Sequence, residues 1–105
     1  MSMKRQRYTG ATAMAIVTDI PGEFTLYEVR VHLPVVEGTT ANMVLSLDSG
    51  KSDNHNFIFQ TTAMAAALDV QYLPARPLYF AADDQIAMTW ANANNKAWAV
   101  EIIYE

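Results

Sequence analysis

The sequence predicts an all-β fold: an antiparallel β-sandwich or jelly roll with about seven or eight strands and no long helix. Two observations predict this class. Apolar runs of strand length recur along the chain, and polar, Pro-Gly or Glu-Gly turn residues bound each run. Few stretches carry the 3.6-residue apolar period of a surface helix, whereas alternation with a period of two is common.

The C-terminal runs show this pattern best, and we expect residues 77–104 to form an antiparallel meander. Side chains alternate faces along a strand. A heavy face therefore carries Ile86, Met88, Trp90, Trp98, Val100, Ile102 and Tyr104. The opposite face carries smaller residues, and we expect an interface between subunits to use four of them: Ala87, Thr89, Ala97 and Ala99.

The earlier elements follow in chain order. The run 11–20 is a predicted strand with Thr12, Met14, Ile16 and Thr18 on one face, and Pro21-Gly22 is a turn signal. The strand Phe24–Leu33 alternates most clearly, with Tyr27, Val29, Val31 and Leu33 on one face. Further strands are predicted at 39–48, at 56–60 and at about 68–72.

One stretch, residues 61–73, is ambiguous. Its segment Ala63–Leu68 could form a helical turn by propensity. With strands on both sides, a loop or short turn is the preferred interpretation.

The chain is expected to be one domain, 10–105, preceded by a flexible basic arm, 1–9. The arm lacks a periodic apolar face and carries Lys4, Arg5 and Arg7. Such a segment is either a frayed terminus or a contact to an acidic neighbour.

The amino-acid composition limits the classes of function that the chain can have. The net charge is −4, which argues against nucleic acid because phosphate binding needs a basic face. Only 17% of the residues are charged. Because the centres of protein–protein interfaces contain few charged residues, this composition is compatible with a surface that docks on another protein. There is no cysteine, and neither a secretory signal nor a membrane span is expected.

No motif for chemistry is convincing. The segment 49–52 (Ser-Gly-Lys-Ser) has the end of a phosphate-binding loop, but Leu45 stands where the motif needs its first glycine. The donors Asp48, Asp53 and His55 lie close together, yet calcium needs about six or more oxygens. We expect no catalytic residue, no metal site and no cofactor.

The other polar and aromatic candidates have simpler interpretations. His32 lies on a polar strand face, and Asp83-Asp84 suits a turn better than a glycosidase carboxylate pair. Four aromatic residues could stack on a sugar, but core burial is the stronger expectation for the two tryptophans: Tyr79, Trp90, Trp98 and Tyr104.

From about residue 24 onward the chain resembles small β-sandwich proteins encoded among the virion structural genes of tailed bacteriophages. The segments 25–33 and 41–47 are similar to their opening hairpin. The segment 76–86 resembles their turn of proline, apolar pair, small residue and glycine-aspartate, with Asp83 in place of the glycine. The segments 90–95 and 100–105 resemble their closing hairpin.

The resemblance implies a non-enzymatic, oligomeric building block of a virus particle, assembled in the host cytoplasm. A capsid decoration (cement) protein on the outer surface of the head is the favoured role. The resemblance also implies the partners, which are the major capsid protein and further copies of this chain in a homotrimer. It implies no nucleic acid, membrane or small-molecule substrate. The basic residues Lys4, Arg5 and Arg7 would then contact the capsid. A neck, tail or head-fibre component, or a carbohydrate-binding module, is the alternative.

Overall fold

The computed structural model describes residues 3–51 and 56–105 and has nine strands in two antiparallel sheets. The predicted all-β sandwich is confirmed, with nine strands instead of seven or eight and no helix among the described residues. The strands are β1 (Lys4–Gly10), β2 (Met14–Val17), β3 (Phe24–His32), β4 (Asn42–Asp48), β5 (Phe57–Ala63), β6 (Asp69–Tyr72), β7 (Leu78–Phe80), β8 (Gln85–Trp90) and β9 (Trp98–Tyr104).

The two sheets differ in strand order. The five-stranded sheet runs β1-β9-β3-β6, and β7 also pairs with β3. The four-stranded sheet runs β2-β8-β4-β5. No helix of the described residues is long and apolar enough to cross a membrane.

The core lies between the sheets, where the alternating apolar side chains of both meet. The predicted heavy residues of β8 and β9 are all buried, but these strands do not form a meander. β8 belongs to the four-stranded sheet and β9 to the five-stranded one, so their heavy faces oppose each other across the core. The connection 91–97 lets the chain change sheets instead of turning back on the same one.

The inward face of β3 changes phase along the strand. Val29, Val31 and Leu33 are buried as expected, but Tyr27 is only partly buried, and Leu26 is buried in its place. The pairing register shifts between Leu26 and Glu28, which marks a β-bulge. A bulge adds one residue and reverses the alternation beyond it, so a single period could not describe the whole strand.

The structure corrects the expected N-terminal arm. Residues Lys4–Gly10 form β1 and pair along their whole length with β9. The segment lacks a strong apolar face because β1 is an edge strand whose inward positions are only partly buried: Gln6, Tyr8 and Gly10. Backbone pairing with β9 holds this strand, and backbone hydrogen bonding leaves no signature in side-chain periodicity.

The ambiguous stretch 61–73 forms no helix. β5 continues to Ala63, a turn at Ala65-Ala66 follows, and β6 begins at Asp69. Met64 between them is fully buried, so tertiary packing overrides the helical propensity of the alanines.

A buried carboxylate joins two loops at one end of the sandwich. Glu37, in the β3–β4 loop, is 2% exposed. Its oxygens accept hydrogen bonds from the backbone N–H of Thr39 at 3.0 Å and of Asn94 at 3.1 Å, and from the Thr39 hydroxyl. The Asn94 amide in turn donates to the Glu37 carbonyl. The hydrogen bond from the Thr39 side chain is the main cause that lowers the pKa of Glu37, and the two backbone donors add to it.

Stability is therefore expected to depend on pH through Glu37. A carboxyl whose folded pKa is below its unfolded value of 4.5 stabilises the fold fully above that value. This contribution is lost as pH falls through the lowered folded pKa. We expect Glu37→Gln to lower the melting temperature at pH 7 and to flatten its decline below pH 4.5, measured by thermal scans. The exposed Glu23→Gln is the control, and an unchanged acid profile in E37Q would contradict the assignment.

Candidate functional site

The outer side of the four-stranded sheet is uncharged except at one end, where Asp48 of β4 lies in phase with Val44 and Ser46. Two rows of paired residues cross its strands, Ala15-Thr89-Val44-Thr61 and Val17-Ala87-Ser46-Ile58, and the pair Asn42-Ala63 lies beyond them. We call these ten residues the uncharged face: Ala15, Val17, Asn42, Val44, Ser46, Ile58, Thr61, Ala63, Ala87 and Thr89. All ten are exposed or partly exposed, and their side chains are small or branched.

The two edges of the uncharged face carry its largest apolar side chains. Val17 on β2 is 57% exposed, and Ile58 on β5 is 67% exposed. Phe57, next to Ile58, is 63% exposed. Sequence alternation did not single out this edge, because the apolar run at Phe57–Phe59 looks like an ordinary core strand.

The outer side of the five-stranded sheet is charged. We call its polar set the charged face: Arg5, Arg7, Glu28, Arg30, His32, Asp69, Gln71 and Glu101. One row across the sheet pairs Arg7, Glu101, Arg30 and Gln71 in register. The next row ends in His32 and Asp69.

The charges of this face are largely paired with each other. Arg7 Nε lies 2.9 Å from a Glu101 oxygen, and Arg30 Nε lies 2.7 Å from Glu28. His32 Nδ1 lies 2.7 Å from Asp69 Oδ1. Hydrogen bonds from Gln71 and then Arg30 lower the pKa of Glu28. Such exposed pairs contribute little to stability because water and salt screen them, so they chiefly keep this side of the sandwich hydrated.

A shallow depression of about 610 Å³ lies on the charged face above Ala99. Its polar lining is Arg30, His32, Asp69, Gln71 and Glu101. These residues include the cation Arg30 and the anions Asp69 and Glu101, but no serine, cysteine or lysine nucleophile. The lining of the depression is therefore suited to contact with a polar surface that carries both positive and negative charges.

The structure separates the four residues expected at the subunit interface. Ala87 and Thr89 lie on the uncharged face, whereas Ala99 lies on the outer side of the five-stranded sheet and Ala97 in the loop before β9. They do not share one face because β8 and β9 are in different sheets. The basic residues Lys4, Arg5 and Arg7 are exposed on β1, and Arg5 and Arg7 face Glu101.

The acidic turn between β7 and β8 has a structural role. Asp84 accepts hydrogen bonds from the backbone N–H groups of Ala81 and Gly50. Asp83 has a φ of 75°, the left-handed conformation that glycine favours. Gly50 lies against Asp83, where an added Cβ would come within 2.5 Å of the Asp83 Cβ. This confirms the interpretation of Asp83-Asp84 as a turn.

The remaining sequence candidates give no binding site within the described chain. A phosphate-binding loop leads into a helix, whereas the described chain resumes at Asn56 and continues as the strand β5; Ser52 lies outside the described residues. Asp53 and His55, two of the three calcium candidates, lie there too. Residues 3–51 and 56–105 contain no group of three or more His, Cys, Asp or Glu that could hold a metal ion.

Three of the four aromatic candidates for sugar stacking are core residues: Trp90, Trp98 and Tyr104. Tyr79 is exposed and donates its hydroxyl hydrogen to Glu23. A sugar platform from this set would therefore consist of Tyr79 alone.

No protein-family model matches the chain, and no curated protein shows a significant match to it.

Proposed function

We propose that the chain is a non-enzymatic structural protein of a bacteriophage virion, a decoration (cement) protein that binds the outer surface of the head and stabilises it. Its partners would be the major capsid protein and further copies of itself. The observation that carries this proposal is the uncharged face, since the four-stranded sheet presents ten contiguous outward residues without a charge and Asp48 lies only at their margin.

A face of this kind suits docking on another protein. Interface centres are depleted in charged residues, because each buried charge must lose its hydration. The side chains of Ala15, Ala87 and Thr89 are short, so a partner can approach the backbone closely. Val17 and Ile58 at the two edges add apolar area that binding would remove from water.

The opposite side of the sandwich suits solvent. Its ion pairs keep charges exposed and hydrated, so a docked copy would present a hydrophilic outer surface. A second mode of attachment remains part of the proposal, in which Lys4, Arg5 and Arg7 contact an acidic capsid surface. The two modes differ in salt dependence, because exposed charge pairs are screened within about 8 Å at physiological ionic strength. The copy number of three comes from the resemblance alone.

The experiment that tests the function is co-sedimentation with intact phage heads. The protein is expected to pellet with heads that lack it, in a fixed ratio to the major capsid protein, and to raise their melting temperature. Binding that saturates and persists at high salt would support docking through the uncharged face. Absence of any binding to heads would overturn the decoration role.

Thr89→Arg is expected to weaken head binding at least about tenfold, which corresponds to about 1.4 kcal/mol. Thr89 is exposed near the middle of the uncharged face, so the arginine should leave the fold intact but place a charge inside the interface. The matched control is Thr9→Arg, on an exposed position of β1 on the other side of the sandwich. Equal loss in both variants, or loss in the control alone, would contradict docking through the uncharged face.

A further inference from the structure

The sandwich has strand edges at both ends of each sheet, and they are not equally protected. β1, at one edge of the five-stranded sheet, carries three basic residues. β2 and β6 are only four residues long, and β7 has three. β5 is seven residues long and contains no charge, proline or glycine, although its register with β4 shifts at Phe59, which marks a β-bulge. Natural edge strands are commonly blunted by charge, proline, bulges or shortness.

The free edge of β5 is open to pairing. Within the described residues its backbone partner is β4, and the sheet order ends at β5. In a strand with one neighbour, alternate N–H and C=O groups point away from that neighbour. At one end of this edge, Phe57 and Ile58 are 63% and 67% exposed.

We infer that β5 is the edge at which a second copy of the chain adds, with the two β5 strands antiparallel across a two-fold axis. The two four-stranded sheets would then continue into one another. This rests on the self-association included in the proposed function, and it specifies the strand that carries it.

The composition of β5 favours a second copy as the occupant. Pairing two β5 strands places no charge opposite a like charge, because the strand carries none, and it would cover the exposed side chains of Phe57 and Ile58. The same operation on β1 would centre on Arg7 and set two arginines against each other.

The two-fold arrangement determines how many copies associate and how tightly they bind each other. It predicts a dimer in free solution, in place of the trimer that the resemblance implies. A seven-residue ladder is small beside the roughly 800 Å² per partner of a standard interface. The dimer should therefore form only at raised protein concentration.

The test combines sedimentation velocity over a range of concentrations with hydrogen exchange at the two extremes. We expect a monomer–dimer equilibrium, and at high concentration slower exchange of amides in β5. Ile58→Lys should shift the equilibrium at least tenfold toward monomer. Val17→Lys is the matched control, because Val17 occupies the same row of the uncharged face at the opposite edge and is similarly exposed.

Several results would overturn the inference: a monomer at every concentration, a trimer, or a dimer whose protected amides lie in β1 or β2. A dimer that V17K disrupts as strongly as I58K would also do so. Thermal scans of both variants confirm that they fold. Failure here is distinguishable from failure of the proposed function, because head binding by the unmodified protein and its loss in Thr89→Arg do not depend on dimerisation in solution.

Discussion

Trp98→Ala is expected to destabilise the protein by about 3–5 kcal/mol, the usual cost of truncating a large buried aromatic residue. The Trp98 ring is 8% exposed and lies against Gly10, where an added Cβ would be only 2.5 Å from the ring. Its indole N–H donates to the Thr12 carbonyl at 2.9 Å. The substitution therefore empties a packed space and removes a hydrogen bond that links β9 to the β1–β2 connection. Chemical denaturation measures the loss.

Tyr79→Ala is the control for Trp98→Ala, since Tyr79 is an exposed aromatic residue on β7. Its loss should leave the free energy of unfolding nearly unchanged, as for most surface positions. A W98A protein of normal stability would contradict the core role of the ring. If such a protein also lost affinity for a carbohydrate, the binding-module alternative would replace the virion proposal.

Asn92→Ala is expected to cost about 3 kcal/mol or more. Asn92 is fully buried in the loop that joins β8 to β9. Its amide donates to the carbonyls of Thr12 at 2.8 Å and Lys96 at 2.9 Å, and its oxygen accepts from the Lys96 N–H at 3.0 Å. Each buried polar group left without a partner costs about 1–3 kcal/mol. The φ of 48° adds strain, because alanine tolerates that conformation less well than asparagine.

Asn95→Ala separates the two contributions to the Asn92 effect. Asn95 has a similar φ of 52° but is exposed. Its substitution should therefore cost only the backbone strain, about 1–2 kcal/mol. Equilibrium unfolding of both variants gives the difference, which measures the hydrogen bonds of Asn92. Equal costs in the two variants would show that the Asn92 side chain does not hold the loop.

The sequence by itself determined the fold class and most of the core. Side chains alternate across a strand because of local backbone geometry, so the runs containing Met88, Trp90 and Val100 revealed their buried positions without any knowledge of their partners. The same rule identified Val29 and Val31. It failed at Tyr27, where the bulge in β3 inserts a residue.

Only the tertiary structure decided which strands are neighbours. The alternation of apolar and polar residues is the same whether β8 pairs with β9 or opposes it across the core. The sequence pattern therefore could not show that the expected meander, and the shared face of Ala87 and Ala99, were wrong. The pairing of β1 with β9 depends on backbone hydrogen bonds. Every residue except proline offers the same backbone N–H donor and C=O acceptor, whatever its side chain. The exposure of β5 arises because the four-stranded sheet ends there. Sheet order depends on contacts between residues far apart in the chain, and local periodicity carries no information about them.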